Sequence, residues 1–319
     1  MFAALSHCTY LDAQHFKLTQ PKQPPSCAFS YFCNNELRLT CHPSIAVACD
    51  NKPLPISSSA PPEFPPEQES LFREVLTLMN ERGIPYAVSG AFALREHTGI
   101  CRNTKDLDLF LPPQDVPLAL DQLRKEGFET EVPDPVWLAK AHRDDFFVDL
   151  ITGMSNGIVT VDNSWIANAT PSQILGIPVK VLAAEELLVS KIFIAFRERF
   201  DGADIVHLIY GTRGRLKWNR VLELVGENWQ LLLWALVLFN YVYPQEASAV
   251  PEDVWDSLLH RFHENLTTPN TMANFRGSLL DERMFAIDVN EWGLDNLLEE
   301  SRRRREPKIP EDAASKPAA

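Results

Sequence analysis

Apolar positions first fall into a helical rhythm at residue 69. In ESLFREVLTLMNERG, Leu71, Val75, Leu76, Leu78 and Met79 recur at helical spacing, and Gly83 closes the turn. A short apolar run, IPYAVSG, reads as a buried strand ending in Ser89-Gly90, and AFALREH returns to helix-forming residues. KDLDLFL then alternates strictly, with Asp106, Asp108 and Phe110 on one face and Leu107, Leu109 and Leu111 on the other. QDVPLALDQLRKEG predicts a helix; FETEV and DFFVDLITG predict strands, the second placing Phe147, Asp149 and Ile151 on a common side. After PVKVLAAEELLVSK the pattern is mainly helical to about Glu300, with a break at PQEASAVPEDV.

The flanks lack such periodicity. Residues 1–68 are rich in Pro, Ser and Asn, and NKPLPISSSAPPEFPPEQ cannot continue a helix, so a disordered extension is expected. SRRRREPKIPEDAASKPAA, residues 301–319, is charged and Pro-containing and is expected to fray into solvent. The chain therefore divides into the extension, a core at 69–184, a helical unit at 185–300 and the tail.

At 319 residues and 45% hydrophobic content there is enough apolar material for a sizeable core. The formal charge of -13 argues against a general nucleic-acid coat, which neutralises phosphates with Lys and Arg. Five of the six cysteines, Cys8, Cys27, Cys33, Cys41 and Cys49, crowd the first fifty residues without a C-x-x-C pair. MFAALSHCTYLDAQHF has no basic start and no sustained apolar run, so a cytoplasmic location is expected. The most apolar window, Trp229 to Tyr243, is shorter than the roughly 20 residues of a membrane span and is broken by Asn240; a buried helix and no membrane partner are expected.

Candidate chemistry centres on Asp106 and Asp108. Two residues apart on a strand, their α-carbons lie about 6.6 Å apart, close enough for both carboxylates to hold one divalent ion. Oxygen donors favour Mg²⁺ or Mn²⁺. If Asp149 lies on the neighbouring strand, it completes a three-carboxylate cluster for a second ion, and two ions flanking an attacking oxygen and a phosphoryl group suit phosphoryl or nucleotidyl transfer. Asp144 and Asp145 are rivals, but they fall in the expected turn. Gly90 lets the backbone approach a ligand, and the N–H groups at the start of the following helix attract phosphate.

Other polar residues keep two readings. Arg102 and Thr104 either meet a triphosphate or stabilise the approach to the strand. Lys191 either contacts phosphates or snorkels from an apolar helix. Asp201 and Asp204 either line the site or cap and salt-bridge a helix. His97 and His207 suit packing or helix-end roles, and TRGRLKWNR suits a solvated loop with a packed Trp218 or contacts to an RNA acceptor.

The Ser-Gly turn, short helix, Asp-x-Asp and distant third Asp resemble the DNA-polymerase-beta-like nucleotidyltransferase superfamily. R-x-T-x-D-L-D at Arg102, Thr104, Asp106 and Asp108, followed by KIFIAFRERFDGADIVHL, is similar to bacterial AbiEii-type and related minimal nucleotidyltransferases, over roughly residues 70 to 210. Ser-Gly departs from the commoner Gly-Gly or Gly-Ser form. The resemblance implies an α+β, two-layer fold: a mixed sheet backed by helices, followed by a helical C-terminal unit. It implies Asp106, Asp108 and Asp149 as metal and catalytic residues, and Ser89, Gly90, Arg102, Thr104, Lys191 and Asp204 as nucleotide-binding residues, with Asp201 nearby. The expected activity is Mg²⁺- or Mn²⁺-dependent transfer of NMP from an NTP to RNA, protein or a small molecule. A toxin role with an antitoxin partner belongs to the same expectation. The alternatives are a catalytically silent nucleotide- or partner-binding protein and, more weakly, a nucleotide-sugar glycosyltransferase, which leaves Ser89-Gly90 and the Lys191 segment unexplained.

Overall fold

The computed structural model describes residues 64–305 and 308–314. The expectation for residues 1–63 lies outside the described residues, as does that for 315–319.

The first helix, α1 (Pro66–Glu81), starts three residues ahead of the expected boundary. Pro66 takes the first helical position, where a missing N–H costs nothing, and Gln68 is buried. Phe64 packs on Phe72 and Phe92, so residues 64–68 belong to the core rather than to an extension. β1 (Ala87–Val88), α2 (Gly90–Thr98), β2 (Asp106–Phe110) and α3 (Val116–Lys125) follow. β3 (Glu129–Asp134), β4 (Leu138–Arg143) and β5 (Phe146–Ile151) form a meander, then come α4 (Asn163–Asn168), β6 (Thr170–Ile174) and β7 (Ile177–Val181). β4, β6 and β7 have no counterpart in the expected strands.

The seven strands form one mixed sheet in the order β3-β4-β5-β2-β1-β7-β6. β2 runs parallel to β5 and β1 parallel to β7; the other neighbours are antiparallel. Pro133 and Pro171 sit in the edge strands β3 and β6, where a lost ladder hydrogen bond is tolerated, and the β3–β4 register shifts next to Pro133. α1 packs on β5 and β7, and α3 on β3 and β4. Leu107 and Leu109 are fully buried, as the alternation in β2 requires.

α5 (Ala184–Ile192), α6 (Gly202–Thr212), α7 (Trp218–Val225), α8 (Trp229–Val242), α9 (Glu252–Thr267), α10 (Gly277–Leu280), α11 (Ala286–Asn290) and α12 (Leu297–Arg304) make up the helical part. Together with the sheet they form the expected α+β fold. Among the described residues, Trp218–Val242 is the one run long and apolar enough to cross a membrane. Here it is α7 and α8, separated at Gly226, and Leu232, Leu236 and Phe239 of α8 are fully buried.

The described part of the charged tail packs on the domain. The Arg302 guanidinium donates to the Ser155 carbonyl at 2.6 Å and to both Asp134 oxygens at 2.9 and 2.8 Å. Arg305 is buried; its guanidinium donates to the Thr152 carbonyl and hydroxyl and, at 3.0 Å, to the Thr160 hydroxyl. Ile309 is buried and its N–H bonds the Pro135 carbonyl at 2.9 Å, while residues 311–314 form a 3-10 turn against α3 and β3. Internal carbonyls and carboxylates compete successfully with water for these arginines, because the segment also covers apolar surface. Burial pulls the Arg305 guanidinium down to about 10. Replacing Arg305 by Ala takes a donor from the Thr152 and Thr160 hydroxyls, while the Thr152 carbonyl keeps the Val161 N–H at 2.9 Å, and is expected to destabilise the fold by about 2 kcal/mol in urea unfolding.

Candidate active site

β2 and β5 are paired in parallel with Asp108 opposite Asp149 and Asp106 opposite Phe147. Side chains at alternate positions share a face, so all three carboxylates project on one side, and an oxygen of each lies within 4.8 Å of the other two. Burial, together with the charges of Asp106 and Asp149, pushes Asp108 up to about 7, against the opposing charges of Lys191 and Arg199. Asp149 is raised by burial as well, opposed mainly by its hydrogen bond to Lys140. An all-oxygen set with excess negative charge fits a hard divalent cation, which would relieve that repulsion.

Gly90 opens α2 directly beside Asp108. Its φ of +57° is the left-handed region, and a Cβ there would lie 1.9 Å from Asp108 Oδ2. Only glycine satisfies both constraints. The Ser89 N–H donates to the Asp108 carbonyl at 2.9 Å, pinning the turn to β2. The α2 ladder begins with Ala93 N–H to the Ser89 carbonyl at 3.2 Å, so the N–H groups of Gly90, Ala91 and Phe92 face outward at the positive end of the helix. Ser89 itself is buried, and its backbone N–H serves the sheet rather than an incoming phosphate.

Thr104 donates its hydroxyl to an Asp106 carboxylate oxygen, and the Gln68 amide holds the Thr104 carbonyl at 2.8 Å. Arg102 forms a two-pronged pair with Asp204 at 2.8 and 2.9 Å. Lys191 does not snorkel: its buried ammonium lies 2.6 Å from Asp201 Oδ2 and 3.1 Å from Asp204 Oδ2. Arg199 donates to both Asp201 oxygens at 3.2 Å. Burial raises Asp201, but Arg199 and Lys191 outweigh it and hold the carboxyl below its ordinary range. Arg102, Asp204, Lys191, Asp201 and Arg199 thus form one chain of alternating charge, whose Lys191 and Arg199 act on Asp108. His97 bonds the Leu182 carbonyl at 2.7 Å, a packing role. Trp218 is buried and Arg220 pairs with the buried Glu186 at 3.0 Å, while Arg215 and Lys217 are exposed, so TRGRLKWNR has the form of a solvated loop with a packed Trp218.

The sequence profile of the family described as "Uncharacterised nucleotidyltransferase" matches residues 67–239, more than half of the chain. The chain belongs to that nucleotidyltransferase family. No curated protein matches its sequence. Among solved structures, it is similar to ANT(2")-Ia in complex with adenylyl-2"-tobramycin, at 17% identity over 54% of this chain and 97% of that chain, with a TM-score of 0.35. It is also similar to the lincosamide antibiotic adenylyltransferase LnuA, lincomycin-bound, at 17% identity, 44% and 95% coverage and a TM-score of 0.33. An antigenic nucleotidyltransferase-like protein from Paracoccidioides brasiliensis is 20% identical over 61% of this chain and 97% of that chain, with a TM-score of 0.37.

Two residues of this candidate site carry no obvious sequence signal. Lys140 on β4 pairs in register with Asp149, placing its ammonium 2.6 Å from Oδ1 and 4.4 Å from the centre of the Phe147 ring. Recognising β4 requires reading Asp144-Asp145 as a tight hairpin turn; Asp144 takes a φ of 54° there. Arg199 lies in the loop between α5 and α6, where neither strand nor helix periodicity assigns it a direction.

Two outcomes test this geometry. Gly90→Ala is expected to cost about 1–3 kcal/mol in urea unfolding, because it combines a disfavoured backbone with a collision at Asp108. Asp108, raised in the fold, contributes stability that is fully present below the unfolded-state carboxylate pKa and is lost as pH rises through about 7. Metal-free protein should therefore lose Tm between about pH 5 and pH 8, where Asp201 and Asp281, both held low, are already ionised. Asp108→Asn should flatten that fall, and Mg²⁺ should reverse it in the wild type but not in the variant.

Proposed function

We propose that this protein transfers NMP from an NTP to a hydroxyl-bearing acceptor, with Asp106, Asp108 and Asp149 holding Mg²⁺ or Mn²⁺. The supporting observation is the convergence of three carboxylates beside the outward-facing amides of α2. Divalent ions held there would neutralise the triphosphate and make the acceptor hydroxyl more acidic. The α2 amides and the Arg102 side of the charge chain meet the phosphates. Lys191 and Asp204 act through that chain, positioning Arg102 and Arg199 instead of reaching the nucleotide themselves. Thr104 and Gln68 fix the direction of Asp106. Asp149, with Oδ1 held by Lys140, orients the acceptor hydroxyl and takes its proton. The acceptor oxygen forms its bond to the α-phosphorus as the bond to the β-phosphate bridge breaks and pyrophosphate leaves.

The acceptor is RNA, a protein or a small molecule. The Arg102-to-Asp108 motif and the Lys191-to-Asp204 segment support an AbiEii-type placement, and with it a cytoplasmic toxin held by an antitoxin. Incubation with α-labelled NTPs and Mg²⁺ in a nucleic-acid-bearing lysate, followed by separation of RNA, protein and metabolites, identifies where the label goes. Asp106→Asn and Asp108→Asn are each expected to lower labelling by at least about 100-fold, the equivalent of ~3 kcal/mol, with the fold intact. Tight NTP binding without pyrophosphate release across these acceptors would replace this reading with that of a nucleotide-binding protein.

A further inference from the structure

Next to the charge chain, the loop between α5 and α6 presents an aromatic ring that nothing so far uses. Phe200 stands between Arg199 and Asp201 in sequence and is 50% exposed, and it stacks on Trp234 of α8, itself 43% exposed, with ring centres 5.2 Å apart and planes 26° from parallel. The pair is held in place from several sides. Phe196 and Arg199 exchange backbone hydrogen bonds at 2.8 and 3.2 Å, and Ala195 bridges Phe200, so the loop is a short hairpin. Asp281 fastens that hairpin by accepting the Arg197 N–H at 2.6 Å and is itself held by the N–H groups of Arg283 and Met284. The Phe200 ring also lies over Gly202 so closely that a Cβ there would be 2.4 Å from it. A fastened pair of stacked rings on two half-exposed residues has the form of a stacking platform.

Its place in the molecule indicates what it stacks. Arg199, the preceding residue, is close enough to act electrostatically on both Asp106 and Asp108. In a nucleoside triphosphate the base is separated from the α-phosphate by one ribose. With the phosphate chain along the carboxylate cluster and the α2 amides, a base turned to the Arg199 side would meet the loop that carries Phe200.

Building on the phosphate site described above, we propose that Phe200 and Trp234 form the nucleobase platform of this enzyme. Stacking is tolerant of base identity because every base has a π-face, and the larger purine rings cover more of the pair than pyrimidines do. The platform thus gives affinity with a purine preference rather than strict selection of one base.

Calorimetric titration of the full chain in Mg²⁺ tests this with two probes: an ATP analogue carrying a methylene bridge between the α- and β-phosphorus, and inorganic tripolyphosphate, which has no base. Wild type should bind the analogue about tenfold more tightly than tripolyphosphate. Trp234→Ala should lose that advantage while tripolyphosphate affinity stays unchanged, and Trp234→Phe should recover most of it. Phe200→Leu should behave like Trp234→Ala, with thermal unfolding showing that each variant is folded. Unchanged analogue affinity in both Trp234→Ala and Phe200→Leu overturns the platform, as does an equal loss for both probes. Absence of tripolyphosphate binding to wild type, or its indifference to Asp108→Asn, removes the phosphate site itself and the platform with it.

Discussion

The parallel pairing of β2 with β5 places Asp108 directly opposite Asp149, and three negative charges are thereby forced onto a few ångströms of one sheet face. Strand geometry leaves no freedom in this. A slip of one residue would turn Asp149 toward the opposite layer and carry apolar neighbours to the carboxylate side, so the buried Leu107 and Leu109 hold the acidic cluster in register as firmly as they hold the core. Mutual repulsion at that separation, in partly desolvated surroundings, is the local strain against which the neighbouring groups are arranged.

Positive charge answers the cluster from two directions. Lys140 reaches Asp149 from the next strand, and Lys191 and Arg199 act on Asp108 from the helical half. Lys191 is buried, which is tolerable because two carboxylates share its ammonium; either one alone would leave a desolvated charge poorly matched. Since Arg102 precedes β2, Lys191 closes α5, and Asp201 and Asp204 open α6, this chain of ions also ties the helical half to the strand that carries Asp106 and Asp108.

Much of this was legible in the residues. Strict alternation in KDLDLFL fixed the common face of Asp106 and Asp108, and the phase of Phe147 distinguished Asp149 from Asp144 and Asp145. Gly90 was readable as a position where the backbone comes close to something, though its neighbour proved to be the Asp108 side chain. What stayed hidden depended on tertiary pairing. LAKAHR carries Lys140 between two alanines, a pattern too weak to announce a strand until β5 pairs with it. Composition misled in part at the C-terminal end, where SRRRREPKIPED has the make-up of a solvated tail; Arg303 and Arg304 do stay exposed beside Glu299 and Glu300, but Arg302 and Arg305 find carbonyls and a carboxylate in the loops around the β3–β5 meander.

That C-terminal segment has a consequence for solubility. β3 is the outermost strand of its side of the sheet, with a row of backbone groups free to recruit a strand from another molecule. The 3-10 turn at 311–314 lies against β3 and α3, and Arg302 grips Asp134 at the end of the strand. The turn therefore lies as a sheath beside an adhesive margin, and losing it would leave that margin more open to pairing with another strand.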